Sequence, residues 1–129
     1  MIKKYKKFYE EGDWQEAYEL QKEIFELTSV FPTEEKFGLV NQMNKSTNSV
    51  VANIAEAHGR FYFMDKVRVL YIVRGEIEET QSHIIVSQSR DYVHKERAVK
   101  LISKYENLKK KINGKISDFV NKNNKNKEK

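Results

Sequence analysis

The sequence predicts an all-α protein, an antiparallel up-down-up-down four-helix bundle. Three observations point there. The 129 residues contain one Pro and five Gly, so few positions interrupt the chain. Four stretches carry apolar residues at the three-four spacing of a helix face. The segments between them are short, and short connections make consecutive helices antiparallel neighbours. The length suits one domain with a real core. The spacing divides the chain into a basic arm over residues 1–12, the bundle over 13–120 and a tail over 121–129.

The first helix is expected to open at Asp13. Glu16 stands three residues on in the pattern of a capping box, and Trp14, Ala17, Tyr18, Ile24, Phe25 and Leu27 supply the apolar face. Phe31-Pro32 ends it, because Pro cannot continue a helix. The second helix is expected over 34–57, with Thr33 as its cap and Glu34 and Glu35 at the positive end of its dipole. Val40, Met43, Thr47, Val50 and Ile54 form its seam; Asn41, Asn44, Lys45 and Asn48 lie on other faces, and Gly59 reads as a stop signal.

The third helix is expected over 63–88 and has two apolar sides. Phe63, Val67, Leu70, Ile77 and Ile84 make one seam, interrupted by Arg74 and Gln81. Val69, Ile72 and Val73 lie on another side, beside Gly75. Either the helix is central and buried all round, or the second side is an interface with another copy. The fourth helix carries Ala98, Leu101, Ile102, Tyr105, Leu108, Ile112, Ile116 and Phe119. From Asn121 the chain is Asn and Lys apart from Glu128, with nothing to bury, and is expected to be disordered.

The net charge of +5 is unevenly spread. His94 to the end holds 12 Lys/Arg against four Asp/Glu, a surplus of +8, and the first nine residues add +4. The middle is therefore left at −7. Such polarity can steer an anionic partner or draw copies together head to tail. No apolar run approaches the roughly 20 residues of a membrane span. Met1 to Lys7 lacks the apolar segment of a secretory signal. Without cysteine there is neither disulfide nor thiolate zinc site, which is compatible with a cytoplasmic location.

Catalytic chemistry finds no footing. A di-iron bundle needs Glu-x-x-His on two helices, and none of His58, His83 and His94 has Glu three residues before it. Glu79 and His83 read as an ordinary surface pair four residues apart. There is no Gly-x-Ser-x-Gly elbow and no Gly-rich phosphate loop. The expectation is a non-enzyme with no cofactor and no metal.

Two surfaces remain. Asn53 and Glu56 sit three apart near the end of the second helix, where Glu56 can pair with Arg60, Arg68 or Arg74. The cluster reads as a device that fixes the following turn and the helix register. Lys109, Lys110, Lys111 and Lys115, with Arg60, form the candidate contact to nucleic-acid phosphates through counterion release. Tyr5, Phe8 and Tyr9 interleave with the N-terminal lysines, a composition able to stack on unpaired bases. The competing reading is that these lysines serve only solubility.

The residues also carry a resemblance. Trp14…Ala17, Leu27-Thr28…Phe31-Pro32…Glu35…Phe37-Gly38-Leu39…Gln42, Ser49…Asn53-Ile54-Ala55-Glu56…Gly59-Arg60 and Arg68…Leu70…Ile72…Arg74-Gly75…Glu79 resemble the four-helix-bundle family first met in intervening sequences of 23S ribosomal RNA genes, also labelled S23 ribosomal protein. The resemblance spans about 14–116. It implies a four-helix protomer, a ring-shaped homopentamer closed through the second side of helix three with Gly75 allowing close approach, and no known enzymatic activity. The fold is also similar to the accessory protein of diversity-generating retroelements, which implies a reverse transcriptase and nucleic acid as partners. The chain departs from the family at Val51 and Ala57, where Pro and Gly are usual, so helix two is expected to be straighter and longer. Lys45, Ser46 and Thr47 make that helix more polar than usual. The alternative is a purely structural, self-assembling bundle with no nucleic-acid role.

Overall fold

The structure, a computed structural model, describes residues 5–128. Four helices account for most of them: α1 (Gly12–Thr28), α2 (Leu39–Gly59), α3 (Phe63–Ser89) and α4 (Lys95–Glu128). No strand is present among the described residues. Each helix packs on its sequence neighbour, and α1 closes the square against α4, the least extensive of the four seams. α2 against α3 and α3 against α4 are the extensive ones. This is the antiparallel up-down-up-down bundle.

Burial follows the predicted seams with additions. Ile24, Met43, Val50, Leu70, Ile77, Ile84, Leu108 and Ile112 are at most 1% exposed and form the centre of the core. Leu20, Leu39, Val51 and Ala57 join it. Tyr18 and Phe25, expected on the inner face of α1, are instead exposed; Leu20 and Ile24 hold that face and turn both aromatics outward.

The two sides of α3 resolve differently from the interface reading. Val69 and Val73 are buried inside the protomer, because α3 lies between α2 and α4 and offers apolar residues to both. Ile72 alone of that set is open, at 49% exposed. Gly75 is exposed too, and a Cβ there would meet nothing within 4 Å, so no close helix approach occurs at it within the protomer.

The interior contains hydroxyls. Ser46, Thr47, Thr80 and Ser87 are buried, and each is satisfied. The Ser46 and Thr80 hydroxyls lie 2.8 Å apart across the α2–α3 seam. Thr47 donates to the Met43 carbonyl at 3.0 Å, and Ser87 to that of His83 at 2.8 Å. Short side chains that return their hydrogen bond to the preceding turn enter a core at little cost. α2 runs unbroken through Val51 and Ala57.

The connections explain the shifted helix ends. α2 begins at Leu39 rather than Glu34, because Glu35 is used elsewhere. Its carboxylate accepts hydrogen bonds from Arg90 Nη1 at 2.7 Å and Tyr92 Oη at 2.8 Å, tying the α1–α2 connection to the α3–α4 connection. Thr33–Glu35 form a single 3-10 turn, and Gly38 is the N-cap. Phe31 packs on Tyr92 with ring centroids 5.0 Å apart. On the other side of this latch, α3 ends in a Schellman motif. The Tyr92 N–H reaches the Ser87 carbonyl and the Asp91 N–H reaches that of Gln88, both at 3.0 Å. Asp91 takes the left-handed position (φ 63°) usually given to glycine, which Asp tolerates better than most residues.

Two further differences concern the ends. The predicted capping box at Asp13 does not form; α1 opens at Gly12 after Glu11, with no side-chain cap. Residues 121–128, expected to be disordered, continue α4 to Glu128. Propagating an existing helix avoids the nucleation cost, no Pro or Gly stops it, and lysines near a helix C-terminus suit its dipole. Lys129 lies outside the described residues, as do residues 1–4 of the arm.

Two outcomes follow. Tyr105 is buried, and its hydroxyl has no partner among the described residues; burial, with Glu23 nearby, pushes its ionisation far above the ordinary range. Tyr105→Phe is expected to leave stability unchanged or raise it by up to about 1 kcal/mol, whereas Leu108→Ala should cost about 3 kcal/mol in chemical denaturation. The hydrogen bond from Tyr92, then that from Arg90, holds Glu35 below the ordinary carboxylate value of 4.5. A group depressed by folding stabilises above its unfolded value and loses that contribution as pH falls through the folded one. Thermal melts should therefore show the advantage of the native chain over Glu35→Gln intact near neutrality and shrinking below pH 4.5.

Candidate functional site

The lysine run of α4 faces the acidic edge of α1. Lys115 Nζ lies 2.7 Å from Asp13 Oδ2, Lys111 Nζ 2.6 Å from Glu16 and Lys104 Nζ 3.0 Å from Glu23. As the numbers rise along α1 they fall along α4, which is the antiparallel register written in charge. Asp13 is only 4% exposed; its other oxygen accepts the Trp14 N–H at 2.8 Å. Glu16, needed for the capping box, is spent on Lys111. Lys109 sits between Glu106, at 2.8 Å, and Glu78. Hydrogen bonds to Glu106 and Glu78 raise its ionisation above the ordinary lysine value, and Lys109 in turn lowers that of Glu106. Lys110 is exposed and has no ion pair among the described residues. Of the four lysines that sequence nominated on α4, three are already neutralised inside the protomer.

The polar cluster does not assemble as one unit. Glu56 pairs with Arg60 at 2.9 Å, but Arg68 pairs with Asp65 at 2.8 Å. Arg74 donates to Asn113 Oδ1 at 3.1 Å and lies over the Tyr71 ring. Asn53 donates to the Ser49 carbonyl and hydroxyl, both at 3.0 Å. Arg60 caps α2, and Arg68 and Arg74 stand apart on α3, so each finds a different partner.

Arg60 leads to the surface that sequence did not single out. At the end of the bundle where α2 meets α3, a cleft of about 740 Å³ is lined by Tyr5, Arg60, Phe61, Tyr62, Met64 and Lys66, with Phe63, Asn123 and Asn126. The up-down-up-down order places the arm, the α2–α3 turn and the last turns of α4 at this one end. Phe61 is 85% exposed, Tyr62 68% and Tyr5 80%. The wall beneath is firm. Phe63 stacks on Phe119 at 5.9 Å, and Lys66 and Lys122 each lie 5.8 Å from the Phe119 ring. Lys66 donates to the last carbonyls of α2, Ala57 at 3.2 Å and His58 at 2.9 Å. Burial, then the nearby Lys115, lowers its ionisation below the ordinary lysine value. The arm is pinned here as well, through a 2.9 Å contact of His58 Nε2 with the Lys6 carbonyl. Its Phe8 packs edge-on against Trp14, so of the arm's rings Tyr5 is the one that faces the cleft.

Asn123 and Asn126 reach the cleft, and Lys122, Lys125 and Lys127 ride on the same turns of α4. Lys122 pairs with Asp118 at 3.0 Å, while Lys125 and Lys127 are exposed with no ion pair among the described residues. A signal existed in the sequence: Phe61-Tyr62-Phe63-Met64 directly after the helix stop is far too apolar for a turn. A second groove of about 520 Å³, between α1 and α4, offers Glu23 and Glu96 beside Arg97, Lys100 and Lys104, with no ring. Among the described residues no group of three His, Asp or Glu side chains could hold a metal ion, and no helix is long and apolar enough to cross a membrane.

The lysine ladder makes a direct prediction. Lys115→Ala strands the buried Asp13 and should cost about 2 kcal/mol, while Lys110→Ala should change stability by less than about 0.5 kcal/mol. Urea denaturation of the two variants measures the contrast.

Among curated proteins none matches the chain significantly. The model of the family described as 23S rRNA-intervening sequence protein matches residues 12–114, the whole of α1 to α3 and the bundled part of α4. The protein belongs to the 23S rRNA-intervening sequence protein family.

Proposed function

We propose that the chain is a non-enzymatic, self-assembling scaffold that binds RNA or DNA through the cationic end of its bundle. The observation that carries this reading is the meeting of Arg60 and Lys66 in the cleft lining with exposed Lys125 and Lys127 on the last turns of α4, the helix whose Asn123 and Asn126 reach the same cleft. Several cations on one mobile-ion-accessible surface attract phosphates and release counterions. This end, rather than Lys109, Lys111 and Lys115, is the favoured contact, because it adds to the cleft Lys125 and Lys127, which are exposed with no ion pair among the described residues; exposed Lys110 lies further along α4.

Self-assembly draws support from apolar surface that the protomer leaves open. Tyr71, Ile72 and Ile85 are exposed on α3, and Tyr18 and Phe25 on α1. Faces of this kind on one small domain mark contact sites. A face on α1 meeting a different face on α3 is a heterologous contact, which closes into a ring when the rotation fits. The pentamer and a reverse transcriptase as partner rest on the resemblance alone. A second reading, the purely structural assembly, is favoured by the lysines of α4 being engaged within the protomer.

A salt titration separates the two. Binding to a short RNA is expected to weaken with salt at a log–log slope of several units; no binding at low salt would remove the nucleic-acid role. Native mass spectrometry is expected to show a ring, and Ile72→Glu to reduce it to protomers with an unchanged circular-dichroism spectrum. A native chain that is monomeric at micromolar concentration ends the assembly reading.

A further inference from the structure

We propose that the cleft at the α2–α3 turn takes unpaired bases, so that the nucleic acid it recognises is single-stranded. The inference rests on the nucleic-acid reading above and names the strand that reading leaves open.

The ring geometry carries it. Phe61 and Tyr62 stand nearly perpendicular, with centroids 5.0 Å apart and an interplanar angle of 86°. Together they make a corner: a flat base lying on the face of one ring meets the edge of the other. Tyr5 contributes a third exposed ring to the same cleft. None of the three rings is needed to close the core, which is sealed beneath by the Phe63–Phe119 stack. Arg60 and Lys66 belong to the lining, Arg60 next to Phe61 in the turn, and Lys125 is exposed on the last turns of α4. Asn123 and Asn126 add amide donors and acceptors between them. Aromatic faces flanked by cations suit a strand whose phosphates track the rim while its bases turn inward. Paired bases are stacked on their neighbours and present only their edges, so a duplex cannot use the ring faces. A cleft of about 740 Å³ has room for more than one ring.

A second copy of this chain is the competing occupant. Charge opposes the pairing of two such cleft ends, whereas a polyanion is attracted; another face of a second copy seated in the cleft is read out by the oligomeric state of the alanine variant.

The test measures fluorescence anisotropy with an unstructured RNA of about 12 nucleotides, the matching DNA strand and a blunt duplex of the same length. The native protein is expected to bind either single strand more tightly than the duplex. The double variant Phe61→Ala/Tyr62→Ala should lose about 10- to 100-fold on the single strands and less than about twofold on the duplex. Phe61→Leu/Tyr62→Leu keeps the apolar volume without the ring faces and should lose as much. Both pairs are exposed, so the melting profile should be unchanged. Equal losses on single strand and duplex, no loss on the single strands, or rescue by leucine would overturn the stacking site and leave nucleic-acid binding standing. Failure of the native protein to bind any of the three at low salt would overturn both. A changed oligomeric state of the alanine variant in native mass spectrometry would show the cleft to be a contact between copies, and would overturn the site.

Discussion

The burial of α3 along two seams is the constraint on which the rest of the molecule depends. Val67, Leu70, Val73, Ile77 and Ile84 are all at most 1% exposed, and no single neighbour could cover a face that wide. α2 must take one side and α4 the other. With both in place, α1 has one position left, closing the square between α2 and α4. The order of the helices around the core follows from the width of one apolar face and the shortness of three connections.

Closure by α1 is made with charge as well as with apolar contact. Its seam with α4 is the least extensive, and the pairs Asp13–Lys115, Glu16–Lys111 and Glu23–Lys104 run along it. Exposed pairs such as Glu16–Lys111 and Glu23–Lys104 contribute little energy, but a slip of one turn would set the ladder out of register and strand Asp13 in a buried site. Their main effect is on alignment. A consequence reaches the function: lysines that look like a phosphate-binding run are consumed in holding the bundle shut. Net charge counted along a chain therefore overstates the charge on offer to a partner.

Three exposed rings meet at one end, beside Lys125 and Lys127. The even number of helices brings the arm, the α2–α3 turn and the last turns of α4 together, and each contributes what the core cannot use: exposed rings, a guanidinium, asparagines and lysines. At the opposite end, Glu35 draws Arg90, Tyr92 and the start of α2 into one latch. That end is held by one shared carboxylate; the other carries the aromatic cleft.

The fold class, the number of helices and most of the core were legible in the residues alone, because helical spacing is local and the apolar stripes are dense. So was the family, through Phe31-Pro32, Glu35 and Asn53-Ile54-Ala55-Glu56. Which charges are free is set by how the helices pack. Lys111 and Glu16 are 95 residues apart, and nothing local shows that they meet. The same holds for Val69 and Val73, which look like a second interface until α2 and α4 cover them, and for the cleft, whose lining comes from three separate segments. Periodicity reports which way a side chain faces on its own helix. What stands opposite is set by packing, and there the lysines were bound and the aromatic turn was left exposed.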